Sequence, residues 1–277
     1  MKVLVFGAGG MLGQDLLRAA RLANHEVVGL ARSDADITDA GAVARAVESE
    51  APHAVVNCAA FTNVDGAESE AAEARRVNAD GARNVALAAA KVDAAVVYPS
   101  SDYVFDGSKD SPYVKSDEPS PISSYGASKL AGEVETSAVN PRHFIVRSSW
   151  LFGTRGHNFV ETMLELGREQ PQVVVVRDQT GSPTYTGHLA EGLVRLISTD
   201  AYGLHHLAAG GECTWYDFAV EIFDSAGVDC SVMSATTAEL GRPAPRPEYS
   251  VLGTQWAEAI HLPDWQQGLR SYLAERG

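Results

Sequence analysis

The chain opens on a strand, a glycine turn and a helix with no residue between them. Lys-Val-Leu-Val-Phe (2–6) is an apolar, β-favouring run, Gly-Ala-Gly-Gly-Met-Leu-Gly (7–13) follows at once, and 11–23 carries leucines and alanines at helical spacing. An apolar run of this kind reads as a strand covered on both faces, and a helix that directly follows it serves as the crossover to a parallel neighbour. The same alternation continues. "EVVGL" (26–30), "AVVN" (54–57), "AAVVYPS" (94–100) and "HFIVR" (143–147) read as strands, while 39–50, about 70–92 and the stretch around Tyr125 read as helices. The predicted fold is therefore α/β, a Rossmann-type doubly wound parallel sheet, with ligands expected at the carboxyl ends of its strands.

Residues 1–150 are read as the dinucleotide-binding domain. Beyond them the texture changes, with Pro- and Gly-rich "DQTGSPTYTG" (178–187) and "GRPAPRPEYS" (241–250) separating helical stretches near 157–169, 186–198, 214–226 and 264–275. Residues 151–277 are expected to form mainly a smaller α/β substrate lobe, with segments free to interleave with the first domain.

The chain has 36 acidic and 22 basic residues in 277, a net charge of −14. That balance weighs against nucleic acid or an anionic membrane as the main partner, and leaves room for a small anion at a local basic patch. The apolar start is too short for a signal peptide, and no run approaches a membrane span. Cys58, Cys213 and Cys230 are odd in number and lack zinc spacing, so a cytoplasmic protein with reduced thiols is expected. His157, His205 and His206 form no ligand-spaced cluster with carboxylates, and no catalytic metal is expected.

Gly7, Gly10 and Gly13 sit where a first strand turns into a helix, so backbone N–H groups there can approach a pyrophosphate. Met11 and Leu12 belong to the same turn. The acid that usually ends the second strand to hold an NAD ribose is missing: Ala31 and Arg32 stand there instead. A guanidinium suits the 2′-phosphate of NADPH, although Asp34 and Asp36 lie near enough to blur the preference and leave NADH open.

Ser100 and Ser101 end the fourth strand, and Tyr125 and Lys129 share a helix face one turn apart on the next helix. A glycine loop, a strand-end serine and Tyr-x-x-x-Lys in this order resemble the extended short-chain dehydrogenase/reductase family. "NCAAFTNVDGAE", "SSDYVFDG", "YGASKLAGE", "RSSWLFG", "NFVETML", "DQTGSPT" and "RPEYSVL" narrow the resemblance to the dTDP-4-dehydrorhamnose reductases, along residues 1 to about 275.

The resemblance implies NADPH-dependent reduction of the 4-keto group of a dTDP-linked 6-deoxyhexose, with Ser101, Tyr125 and Lys129 as catalytic set. A carbonyl that takes up hydride becomes an alkoxide and must gain a proton. Tyr125 would give it, Lys129 and the oxidised nicotinamide would draw the phenol pKa down, Lys129 would also hold the nicotinamide ribose, and Ser101, where threonine is usual, would hold the substrate oxygen. By the same resemblance Asp36 and Ile37 lie beside the adenine, and Ala59, Ala60 and Thr62 on the nicotinamide side. Thr62, Val64, Tyr103 and Trp150 border the sugar, and Arg246 meets the phosphates. The implied partner is a small nucleotide sugar, and a homodimer is compatible with the reading. Two alternatives stay open. Related dehydratases follow the strand-end hydroxyl with Asp-Glu, whereas Asp102 and Tyr103 stand here, and a non-catalytic NADP-binding subunit could share the fold.

Overall fold

The computed structural model describes residues 1–253 and 260–276. Its first five strands are β1 (Lys2–Phe6), β2 (Glu26–Leu30), β3 (Ala54–Asn57), β4 (Ala95–Ser101) and β5 (His143–Ser148). The later ones are β6 (Leu151–Phe152), β7 (Gln172–Val176), β8 (Thr180–Gly181), β9 (Thr184–Tyr185), β10 (Gly203–His206), β11 (Cys213–Thr214) and β12 (Ser231–Ala235). Six of these form one sheet in the order β10-β5-β4-β3-β1-β2, with every pairing parallel. The chain turns from β1 outward to β2, then back past β1 to β3. The carboxyl ends of β1 and β3 therefore flank a topological switch point, where such sheets open a crevice.

Alternation along β1 divides the core. Val3 and Val5 join Leu16 of α1 (Met11–Leu22) on one face. Leu4 and Phe6 join Val43 and Val47 of α2 (Ala40–Glu50) on the other. All seven are fully buried, each contributing roughly 1.5–3 kcal/mol.

The helix expected over about 70–92 runs from 71 to 91 after a short α3 (Gly66–Ser69): α4 (Ala71–Arg75), a π-turn at Arg76–Asp80 and α5 (Gly81–Lys91) follow one another, so the regular α pattern is interrupted only by the π-turn. The physical reason sits at Asn78, 1% exposed: its amide accepts from Phe61 N at 2.9 Å, donates to Phe61 O at 3.0 Å and donates to Ser128 Oγ at 2.9 Å. Tertiary hydrogen bonds outweigh regular helix here, and they pin the loop after β3 to α6 (Ser124–Val139).

The second half adds α7 (Phe159–Glu169), α8 (Thr186–Leu196), α9 (Trp215–Ala226), α10 (Thr237–Leu240) and α11 (Trp265–Arg276). Phe152, Leu164, Phe218, Leu269 and Tyr272 form its own core, and β7 pairs with β12 beside it. Residues 186–207 do not stay with this lobe. Leu189 and Leu193 of α8 and Leu207 after β10 pack into the core under β1, and β10 is the edge strand beside β5. Among the described residues no helix is long and apolar enough to cross a membrane.

Candidate active site

The glycine turn forms one wall. Gly7 has φ +72, and a Cβ there would lie 2.5 Å from Ala59 N, so the turn after β1 and the loop after β3 touch backbone to backbone. Gly10 caps α1 without a side-chain hydrogen bond. The N–H groups of the first helical turn are thereby left facing outward, a donor set suited to a pyrophosphate. Gly10, Met11 and Leu12 line a cavity of ≈ 560 Å³, whereas Gly7 and Gly13 shape the turn behind it. Ala60 and Thr62 line the same cavity, and Ala59 lies behind it against Gly7.

The opposite wall is the end of β4 with the start of α6. The Ser123 hydroxyl caps α6 by accepting from Gly126 N at 3.1 Å. A Cβ on Gly126 would lie 2.1 Å from Tyr103 O, so only glycine lets the helix dock this closely. Tyr125 and Lys129 therefore face the cavity with Ser101, Val64 and Tyr103. Ser101 Oγ donates to Asp102 Oδ1 at 3.0 Å and accepts from Tyr103 N at 3.1 Å. Lys129 Nζ donates to the Pro99 carbonyl at 2.7 Å and lies 4.3 Å from the Tyr98 ring centroid.

The electrostatics differ from the sequence expectation at Tyr125. Its phenol is not drawn down but pushed up to about 12, by burial first and by the Asp102 carboxylate second, with only the Ser101 hydroxyl opposing. Lys129 is pushed down to about 8 by burial, against the pull of Glu133 and Cys58. Burial also raises Asp102 to about 7, although hydroxyls from Ser250 and Ser101 favour its charged form.

Trp150 also lines the cavity, with φ +47, a region that bulky side chains rarely occupy. Its ring lies flat on Trp215, centroids 3.6 Å apart and planes 5° from parallel. Val64, Tyr103, His157 and Trp215 line this cavity and also a second one of ≈ 480 Å³. Arg242 and Arg246 border that second space. Arg246 NH2 donates to Asp65 Oδ2 at 2.9 Å and NH1 to the Ala244 carbonyl at 2.8 Å.

Three expected cofactor residues lie outside these walls. Arg32 is exposed at the end of β2, with its Nε donating to Asp36 Oδ2 at 2.9 Å. The other Asp36 oxygen accepts from Thr38 N and Oγ1. The Ile37 side chain is 4% exposed and packs into the core under α2, which leaves its backbone as the part that a ligand could meet.

Several residues escaped the sequence reading. Trp215, Asn78 and Ser250 have no local signal, since each acts across a long separation; Ser250 meets Asp102 148 positions away. Glu133 stands one turn after Lys129, a spacing that could have flagged it. Among the described residues no three of His, Cys, Asp and Glu converge on one point.

The family described as RmlD substrate binding domain matches over residues 1–277. The chain is 42% identical to the spore coat polysaccharide biosynthesis protein SpsK of Bacillus subtilis, over 99% of this chain and 98% of that one. It is 40% identical to a dTDP-4-dehydrorhamnose reductase of Mycolicibacterium smegmatis, over 99% of this chain and 85% of that one. A crystal structure of dTDP-4-dehydrorhamnose reductase from Bacillus anthracis in complex with NADP superposes with a TM-score of 0.97 at 40% identity, covering 99% of each chain.

Proposed function

This chain belongs to the family described as RmlD substrate binding domain, and from that premise we propose that it reduces dTDP-4-dehydrorhamnose to dTDP-L-rhamnose with NADPH. It is an oxidoreductase of the nicotinamide-dependent kind, as relatives of this family are. The observation that carries the reading is the meeting of Ser101, Tyr125 and Lys129 with the glycine turn around one cavity, which shares a wall with a second space bordered by two arginines.

Bound NADPH would supply the hydride. The uncapped start of α1 would hold its pyrophosphate, and Arg32 its 2′-phosphate. Tyr125, with its phenol near 12, stays protonated at neutral pH and gives that proton to the new alkoxide, a far stronger base than a phenolate. Lys129, near 8, is mostly an ammonium at pH 7; one of its three donors holds Pro99 O and the others are available to a ribose hydroxyl. Trp150 offers its indole face to the sugar, and Arg242 and Arg246 are the cations for the diphosphate. In this division the first 150 residues serve mainly the cofactor and, through Thr62, Val64, Tyr103 and Trp150, also the sugar; 186–207 completes their sheet and core, and the remainder serves the nucleotide sugar.

The test is NADPH consumption against a panel of nucleotide-linked 4-keto-6-deoxyhexoses. Turnover should be greatest with dTDP-4-dehydrorhamnose, and Tyr125→Phe should lower kcat about 10²–10⁴-fold with NADPH affinity nearly unchanged. Near-normal turnover in that variant would remove Tyr125 from the role.

A further inference from the structure

We propose that Asp102 is a positioning residue that sets the direction of the Ser101 hydroxyl, held to that task by Ser250 from the C-terminal half. The proposal rests on the reductase reading above, in which Ser101 must offer a proton to the substrate oxygen.

Asp102 lies in the 3₁₀ turn that directly follows β4, and is 2% exposed. Oδ1 is 3.0 Å from Ser101 Oγ and Oδ2 is 2.6 Å from Ser250 Oγ, with Ser250 itself 1% exposed. Among the described residues both side-chain partners of this buried acid are hydroxyls, and neither is a cation. The titratable groups around it are Tyr103 in the same turn and Tyr125 on α6, both phenols that the carboxylate pushes up. Lys129 stands one turn further along α6, and Arg246 lies beyond Tyr103, whose phenol it pulls the other way.

A serine hydroxyl has one proton and two acceptor lone pairs. The Tyr103 N–H fills one lone pair of Ser101. While Asp102 is a carboxylate it can only accept, so it takes the Ser101 proton and leaves a bare lone pair toward the cavity. A lone pair repels the developing alkoxide. Once Asp102 carries a proton, Ser250 still donates to Oδ2, so the acid proton belongs on Oδ1 and points at Ser101. Both Ser101 lone pairs are then filled, and its own proton has to turn to the cavity, beside Tyr125. Protonation of Asp102 thus converts Ser101 from an acceptor into the donor that the reaction needs. The burial that raises Asp102 to about 7 keeps a share of that form at neutral pH.

Asp102→Asn tests the idea, because an amide can donate to Ser101 and accept from Ser250 at any pH. The ratio of variant to wild-type kcat should rise about tenfold between pH 6 and pH 8, as one ionisation near pH 7 empties the wild-type donor form. In a Ser101→Ala background the ratio of the Asp102→Asn variant to its parent should stay flat between pH 6 and pH 8, whatever constant offset the lost charge beside Tyr125 brings. Ser250→Ala should move the wild-type fall to higher pH, since the bond it removes favours the carboxylate. A readout independent of turnover is the infrared carboxylic-acid band, which should titrate near pH 7 in the wild type and vanish in Asp102→Asn. A purely structural pin between β4 and the C-terminal segment would shift thermal melts but give a flat kcat ratio. That flat ratio, an undiminished effect in the Ser101→Ala background, or a carboxyl already ionised at pH 5 would each overturn the proposal. If the wild type fails to reduce any 4-keto sugar nucleotide, the reductase reading falls, while the infrared titration still decides whether Asp102 is the acid described.

Discussion

Replacing Glu133 by Gln should cost this chain about 3–5 kcal/mol of stability. Glu133 follows Lys129 by one turn on α6 and is 5% exposed. Its Oε1 accepts from Ser100 Oγ at 2.5 Å and from Arg147 Nε at 2.9 Å, and its Oε2 accepts from Arg147 NH2 at 2.7 Å. Arg147, on β5, is 2% exposed; its NH1 makes no hydrogen bond, and its guanidinium lies 5.0 Å from the Phe105 ring centroid. A buried lysine stripped of its acid can shed its proton, but a guanidinium cannot, so the unpaired charge has no cheap escape. Set against a total of about 5–15 kcal/mol, the loss would be a large share of the whole.

The paired replacement separates stability from placement. Removing both charges with Glu133→Leu and Arg147→Met should recover most of the loss, because desolvating an ion pair offsets much of its attraction. A residue of about 1–3 kcal/mol should persist from the Ser100 hydroxyl left without its acceptor. Turnover should not recover, since Ser100 precedes Ser101 and Lys129 holds the neighbouring Pro99 carbonyl. Urea unfolding at pH 7 and kcat from NADPH consumption, measured on the single and double variants, would decide. A single variant within 1 kcal/mol of wild type, or a double variant no better than the single, refutes the reasoning.

Arg32 shares its guanidinium with Asp36 before any cofactor arrives. Arg32→Asp should therefore reverse an NADPH-over-NADH preference of about tenfold or more, and Asp36→Asn should tighten NADPH; dissociation constants for both cofactors check this. With Asp102 replaced by Asn, the remaining alkaline fall in kcat should centre near pH 8, where Lys129 loses its proton. The stability sign is opposite to that of a paired lysine. The folded pKa lies below the usual value, so burying the ammonium disfavours folding below pH 8, and the penalty fades as pH rises toward 10.5. Lys129→Met should thus gain most over wild type in urea melts near pH 7 and lose that advantage by about pH 10. Trp150→Ala should lower kcat/KM for the sugar nucleotide by up to about 10²-fold without changing NADPH affinity. Trp150→Gly, which relieves the positive φ, should melt no lower than Trp150→Ala. A joint loss of NADPH affinity and stability in Trp150→Ala would make the indole a core residue.

What the sequence made legible is local. The five early strands lie within a residue or two of their expected limits, because apolar runs buried on both faces have few alternatives. The glycine turn was legible from its position, and Tyr125 with Lys129 from the helical repeat. The helix expected over 70–92 is present from 71 to 91, but its π-turn was not legible, because Asn78 finds partners 17 and 50 positions away and no helical pattern carries that information. For the same reason the partners of the site were hidden: Trp215 under Trp150, Ser250 behind Asp102, and Arg147 across from Glu133.

The lysine's share of the expectation at Tyr125 fails for a more general reason. Reading a lysine one turn from a tyrosine as the force on its pKa counts the charge and omits the solvent. In the folded chain burial acts first on both groups, pushing the phenol up and the ammonium down, and Lys129 has turned to the Pro99 carbonyl. The Asp102 carboxylate adds to the effect on Tyr125. A phenol held near 12 is a full reservoir of protons at neutral pH, which suits a group that must protonate an alkoxide. Running the reaction backward would require the phenolate as base, the form that burial and Asp102 both disfavour. On the reading above, Tyr125 therefore stands loaded as the acid at neutral pH, while the balance between reduction and oxidation is set by the substrates, the pH and the two cofactor forms.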